Sequence, residues 1–120
     1  GVLEVSAGVS IHVVDVASGK VAEGLMVSIE RVDGETLCRA AIAGNGLLPG
    51  LRELAPVLTP GVYELRLEVA NYYRAQGQVL PEVPFLDVLV YRFGLDDVRQ
   101  HYHLPFKLTA WGLSCFRGGA

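Results

Sequence analysis

The sequence is poor in cysteine and in charge and has no long apolar run, and each shortage excludes a class of protein. Cys38 and Cys115 are the only cysteines among 120 residues, too few for the disulfide framework of a small secreted scaffold, so we interpret both as free thiols. The net charge of -3 provides no basic field for nucleic acid. No apolar stretch approaches the ~20 residues that cross a bilayer. We therefore expect neither nucleic acid nor a membrane as a partner.

The length is sufficient for one hydrophobic core, so we expect a single domain over residues 1–120. Hydrophobic residues make up 51% of the chain, which is high for a soluble monomer. Part of this apolar surface is therefore expected to contact another subunit. The first residues show no basic-then-apolar targeting pattern, and we expect a cytoplasmic location.

Short apolar runs separated by glycine and proline dominate the sequence, and no long segment keeps a 3.6-residue period, so the pattern predicts strands. The clearest alternation lies at residues 61–69, and Asp33-Gly34 is a hairpin signal. Residues 70–76, which end at Gly77, predict the one helix. We expect an all-β fold, a two-sheet β-sandwich of seven to eight strands with one short helix. The strands are predicted at residues 10–16, 25–31, 36–40, 61–69, 84–93, 101–109 and 113–117.

Three histidines are the first candidates for chemistry. His101 and His103 lie two apart on a predicted strand and so point to the same side of the sheet. Together with His12 they could form an open zinc site, but nothing in the sequence brings His12 to the pair, and we predict no metal. The alternative for each histidine is a structural side chain in the core or at an interface.

Two other residues are weaker candidates for chemistry. Cys115 could be a nucleophile, but a strand would turn it away from Ser114, and no helix N-terminus is predicted to lower the pKa of its thiol. We interpret it as a structural cysteine. Asp15, a carboxylate within an apolar strand, could orient a histidine or could face a turn.

Two segments resemble the signatures of the transthyretin-like 5-hydroxyisourate hydrolases, and with Gly61-Val62-Tyr63 and Tyr72-Tyr73 the similarity spans nearly the whole chain. The first signature segment is Ile11-His12-Val13-Val14-Asp15-Val16-Ala17-Ser18-Gly19-Lys20. The second comprises Tyr102-His103-Leu104-Pro105, Leu108-Thr109-Ala110-Trp111-Gly112 and Ser114-Cys115-Phe116-Arg117-Gly118-Gly119.

The resemblance implies a sandwich of two four-stranded sheets assembled as a homotetramer, with active sites at the subunit contacts. It also implies cofactor-free hydrolysis of a small molecule, 5-hydroxyisourate, in urate breakdown. His12 and His103 occupy the two histidine positions of the family and would act as an acid–base pair. Ser114 and the C-terminal backbone would position the substrate ring, and Arg117 would be a substrate ligand or a surface ion-pairing residue.

Three positions depart from the family pattern. Leu47 follows the turn at residues 43–46, where the family has an arginine that can bind an anionic substrate or a developing oxyanion. Arg52 comes five residues later, and we do not expect it at the same place. Phe116 replaces a tyrosine and loses its hydroxyl, and Gly119 replaces a serine.

Two classes of function are therefore compatible with the sequence. The first is a hydrolase of a small cyclic amide or lactam, either 5-hydroxyisourate or, because Leu47 and Phe116 alter the site, a related heterocycle. The second is a non-catalytic tetrameric binder, as transthyretin is, because the same two residues make the central channel more apolar. The histidines at both catalytic positions favour the enzyme.

Overall fold

The computed structural model describes residues 7–119, which form eight strands, one α-helix and one 3₁₀ helix. The α-helix, α1, covers Val69–Ala75, and the 3₁₀ helix covers Arg52–Val57. This architecture confirms the predicted all-β sandwich. The strands are β1 Gly8–Asp15, β2 Lys20–Val21, β3 Met26–Arg31, β4 Thr36–Ala41, β5 Gly61–Glu68, β6 Val88–Leu95, β7 His101–Thr109 and β8 Gly112–Cys115.

The strands form two four-stranded sheets, in the orders β2-β1-β7-β8 and β4-β3-β5-β6. All neighbours are antiparallel except β1 and β7, which run parallel with Ser10 opposite His103 and His12 opposite Pro105. This one parallel pairing places the two histidine-bearing segments side by side at the centre of the first sheet.

Alternation along the strands separates the core from the site. Ile11 and Val13 of β1 and Leu104 and Phe106 of β7 are buried against the second sheet. Because strand side chains alternate between the two faces, the intervening residues lie on the outer face of the first sheet. Of these, Ser10, His12, Val14, His101 and His103 are half-buried.

Three local features differ from the sequence prediction. The two-residue strand β2 is too short to give an alternation signal. The 3₁₀ helix contains Pro56 and buries none of its residues, so no apolar period marks it. Strand β6 begins at Val88 rather than at residue 84. Proline cannot donate to a strand ladder, and Pro84 lies outside the strand.

Asp15 holds α1 against the first sheet and does not orient a histidine. Its Oδ1 accepts hydrogen bonds from the Tyr73 hydroxyl at 2.9 Å and from the Ala17 backbone N–H at 3.1 Å. Burial, followed by the contact with Asp15, raises the pKa of Tyr73 well above its usual range, so this phenol stays a donor. No helix among residues 7–119 has the length and apolar character to span a membrane.

Candidate functional site

Four polar side chains on the outer face of the first sheet form what we call the histidine cluster: Ser10 and His12 from β1, and His101 and His103 from β7. The Ser10 Oγ lies 2.8 Å from the Nε2 of His101 and 2.6 Å from the Nδ1 of His103. A hydroxyl has one proton and two acceptor lone pairs, so Ser10 can donate to only one of the two imidazoles and can accept an N–H from either. The serine therefore links the tautomers of the two rings.

The cluster favours the neutral form of His103. Burial lowers the pKa of His103 from its ordinary value, and positive charge on His101 and on His12 lowers it further. That His12 affects this ring electrostatically means that the fold brings together the two histidines that are far apart in the sequence. A half-buried imidazole that is neutral near pH 7 is suited to act as a general base.

The backbone of residues 46–48 lies directly against His12. The N–H of Val13 donates to the carbonyl of Gly46 at 3.0 Å, and the N–H of Leu48 donates to the carbonyl of Ile11 at 3.0 Å, so Leu47 pairs with His12. Gly46 has φ +84°, and a Cβ built on it would overlap the Nε2 of His12. Glycine is therefore required here for close packing as well as for its backbone conformation.

A groove of about 500 Å³ adjoins the histidine cluster and shares Ser10 and His101 with it. Its wall is mostly apolar and includes Leu47, which is 37% exposed. Arg52, five residues after Leu47, lines the same groove. The chain turns back at residues 49–50, where Gly50 adopts φ +87°, and this turn brings Arg52 and Leu47 to one cavity.

Comparison with known proteins identifies the family. Residues 9–118 match the model of the HIUase/Transthyretin family. The chain belongs to this family. It is 38% identical to a 5-hydroxyisourate hydrolase of Halalkalibacterium halodurans, over 94% of this chain and 98% of that protein. It is also 38% identical to one of Pseudomonas aeruginosa, over 89% of this chain and 87% of the other.

Two solved structures have the same fold as this chain. The 5-hydroxyisourate hydrolase of Klebsiella pneumoniae matches with a TM-score of 0.76 and 30% identity, over 93% of this chain and 99% of that one. An (S)-allantoin synthase matches with a TM-score of 0.82 and 26% identity, over 96% of this chain but only 45% of the synthase. The resemblance found in the two signature segments is thus confirmed.

The C-terminal family signature meets the histidine cluster through its backbone. The N–H of Gly118 donates to the carbonyl of His103 at 2.7 Å, and the N–H of His103 donates to the carbonyl of Gly118 at 3.0 Å. A Cβ on Gly119, the position where the family has serine, would lie 3.1 Å from the Cδ2 of His101. The chain end therefore packs against β7 beside the cluster.

Three side chains of the C-terminal signature, those of Ser114, Phe116 and Arg117, lie away from the groove. Ser114 and Phe116 are exposed, Phe116 to 63%. The Arg117 guanidinium donates to the Gln100 Oε1 at 2.6 Å and stacks 4.2 Å from the centre of the Tyr102 ring. None of the three lines the groove. Their roles in substrate binding stay predictions that depend on a second subunit.

Neither cysteine belongs to the histidine cluster or lines the groove. Cys38 and Cys115 are both free thiols. Burial raises the pKa of each above the ordinary value, so both are thiols rather than thiolates at neutral pH. Among residues 7–119, no three histidine, cysteine or acidic side chains form a group that could hold a metal ion.

Sequence reasoning missed Ser10 and Arg52. Ser10 lies two residues before His12 and hence on the same strand face, which was the available signal. Its contacts with His101 and His103 depend on the parallel pairing of β1 with β7, across 91 and 93 residues. No local pattern contains that pairing.

Proposed function

We propose that this chain is a cofactor-free hydrolase that opens the ring of 5-hydroxyisourate, a small cyclic amide, in urate breakdown. The observation that carries this proposal is the Ser10 hydroxyl between His101 and His103, next to a groove large enough for a small heterocycle. The names of the relatives from Halalkalibacterium halodurans and Pseudomonas aeruginosa support the same substrate.

In the proposed reaction His103 is the base. If its Nδ1–H donates to the Ser10 Oγ, the Nε2 of His103 holds a lone pair that takes a proton from water. The hydroxide formed adds to the ring carbonyl carbon, and the carbon–nitrogen bond then breaks. His12 donates a proton to the leaving nitrogen, and the proton that His103 took from water returns to His12 through solvent, so the ring-opened product differs from the substrate by one water molecule. His101 and Ser10 fix the orientation of the base.

We propose that the complete site forms between subunits of a cytoplasmic homotetramer, each subunit a single domain. Exposed apolar side chains on or beside the outer face of the first sheet, including Leu47 and Phe116, support such a contact. Ser114, Phe116 and Arg117 would then reach the groove of a neighbouring subunit. Light scattering is expected to give four times the mass of the chain, and a monomer would contradict this part of the proposal.

The proposed activity is tested by mixing the protein with freshly generated 5-hydroxyisourate and following the loss of its ultraviolet absorbance against the spontaneous rate. We expect a clear acceleration at catalytic protein concentrations. No acceleration would contradict the proposal, and a weak one would support a related heterocycle as the substrate.

Replacing Ser10 with alanine is expected to lower kcat/KM about tenfold, the effect of losing one or two neutral hydrogen bonds. The reason is that Ser10 holds His101 and His103 together at 2.8 and 2.6 Å. Ser10→Thr keeps the hydroxyl and suits a strand, so it serves as the control and should retain most of the rate. Wild-type kinetics in Ser10→Ala would show that the hydroxyl does not position the base.

A non-catalytic binder is the second candidate, favoured by the mostly apolar lining of the groove and the exposure of Leu47. Such a binder would bury an aromatic ligand without turning over a polar one. This candidate predicts no acceleration in the absorbance assay together with saturable binding of an aromatic ligand. The hydrolase instead predicts acceleration of 5-hydroxyisourate loss in the absorbance assay.

A further inference from the structure

Arg52 has no partner within the part of the chain that the structure describes. It makes no hydrogen bond, ion pair or ring contact there. Every other arginine of the sequence donates a hydrogen bond to a carboxylate, a carbonyl or a side-chain amide. These arginines are Arg31, Arg39, Arg66, Arg74, Arg92, Arg99 and Arg117. Among the described residues, Arg52 is thus the arginine whose N–H donors are not engaged, and it lines the groove.

The backbone of Arg52 is held firmly even though its side chain is exposed. Arg52 is the first residue of the 3₁₀ helix, and the flanking residues Leu51 and Leu58 are both buried in the core. On the other side, a Cβ on Gly8 of β1 would lie only 3.1 Å from the Cβ of Ala55. The helix therefore packs tightly on β1, the strand that carries Ser10 and His12.

Within residues 7–119, no acidic side chain of the groove neutralises the charge of Arg52. No acidic residue is among the described residues that line it. The neighbouring Glu53 acts on Cys38, whose pKa it helps to raise, and Cys38 does not line the groove. The guanidinium of an arginine that lines a mostly apolar groove presents a planar fork of N–H donors, which fits an anionic group with two acceptors in one plane.

We propose that Arg52 binds the anionic edge of the substrate, a small heterocycle that carries a deprotonated imide. The substrate would then lie between Arg52 and the side chains of Ser10 and His101, with its reacting carbonyl towards His103. This inference rests on the proposed hydrolase function. In this inference Arg52, at the start of the 3₁₀ helix, supplies the guanidinium donors that Leu47 lacks.

The kinetic test replaces Arg52 with glutamine in the full chain. We expect kcat/KM for 5-hydroxyisourate to fall about 10- to 100-fold, as for the loss of a charge-assisted hydrogen bond. Arg52→Lys keeps the charge but not the fork and should give an intermediate rate. Arg39→Gln is the matched control, because Arg39 is an exposed arginine of the second sheet, paired with Glu68. An equal rate in Arg52→Gln and Arg39→Gln would overturn the inference.

A rescue experiment separates substrate binding from a structural effect. Leu47 and Arg52 line the same groove, so Leu47→Arg introduced into Arg52→Gln should restore most of the lost rate. A guanidinium at residue 47 would not repair a folding defect caused at residue 52. Failure of the rescue in a protein that unfolds at the wild-type temperature would count against the anion-binding role.

A binding measurement keeps this inference distinct from the proposed function. The urate anion serves as a probe that is not hydrolysed, and calorimetry should show that Arg52→Gln weakens its binding about tenfold or more. Binding through Arg52 without acceleration of 5-hydroxyisourate loss would uphold the anion site and reject the hydrolase. Absence of urate binding to the wild type, or equal binding to Arg52→Gln, would overturn the role of Arg52.

Discussion

Replacing His103 with alanine is expected to lower kcat/KM for 5-hydroxyisourate by about 10²- to 10⁴-fold, the usual contribution of a general base. His103 is the imidazole that Ser10 contacts at 2.6 Å and the one whose pKa burial, His101 and His12 together lower. Added imidazole should restore part of the rate in the alanine variant, which a merely structural role would not allow. Full activity in His103→Ala would remove this residue from the reaction.

The pH profile provides a second readout of the same base. A base acts when unprotonated, so the rate falls as the pH drops through the pKa of His103. Because that pKa is lowered, the acidic limb of log(kcat/KM) should lie below the ordinary histidine range. His12→Ala removes one source of positive charge, so in the residual activity of that variant the acidic limb should move to higher pH. If the acidic limb did not move, the charge of His12 would not contribute to lowering the pKa of His103.

Gly46→Ala is expected to lower the free energy of unfolding by about 2–5 kcal/mol, the sum of a left-handed backbone penalty and overpacking. The new methyl would overlap the Nε2 of His12 and come within 2.8 Å of the Cγ1 of Val21. The His12 ring must then move, so activity should fall with stability. Urea denaturation measures the first effect, and the absorbance assay measures the second.

Gly34→Ala is the matched control for this prediction. Gly34 has φ +100°, but a Cβ there meets nothing within 4 Å, so the variant has the backbone penalty without the overlap. The double variant His12→Ala with Gly46→Ala removes one of the two overlaps and should recover part of the lost stability. Equal destabilisation by Gly34→Ala and Gly46→Ala would show that the loop at residue 46 moves to accommodate the methyl group, so that the overlap with His12 adds no free-energy cost.

The strands were predictable where the local pattern is sufficient. Residues 101–109 form β7 with the predicted bounds, and the Asp33-Gly34 turn connects β3 to β4 as predicted. Residues 52–57 gave no signal because the 3₁₀ helix has no buried face and contains proline. Strand β6 starts four residues later than predicted because the alternation rule does not register that Pro84 cannot join the ladder.

The site was predictable only in part, for a reason of sequence distance. The period of two placed His101 and His103 on one face, and the family resemblance indicated His12. The contact of Ser10 with both histidines and the position of Arg52 on the groove that Leu47 also lines each depend on a tertiary arrangement that no local sequence pattern shows. Composition likewise gave no sign that, within residues 7–119, Arg52 would be the arginine without a partner.

The parallel pairing of β1 and β7 has a consequence for biosynthesis. Of the strands in residues 7–119, β1 is synthesised first, and before β7 it can pair only with the two-residue β2 and the loop at residues 46–48. Much of one edge of β1 therefore stays open until the ribosome has added His101–Thr109, and an open edge can pair with another nascent chain. Long-range closure of this kind is slow, so chaperone dependence and early aggregation should be concentrated in the interval before β7 arrives.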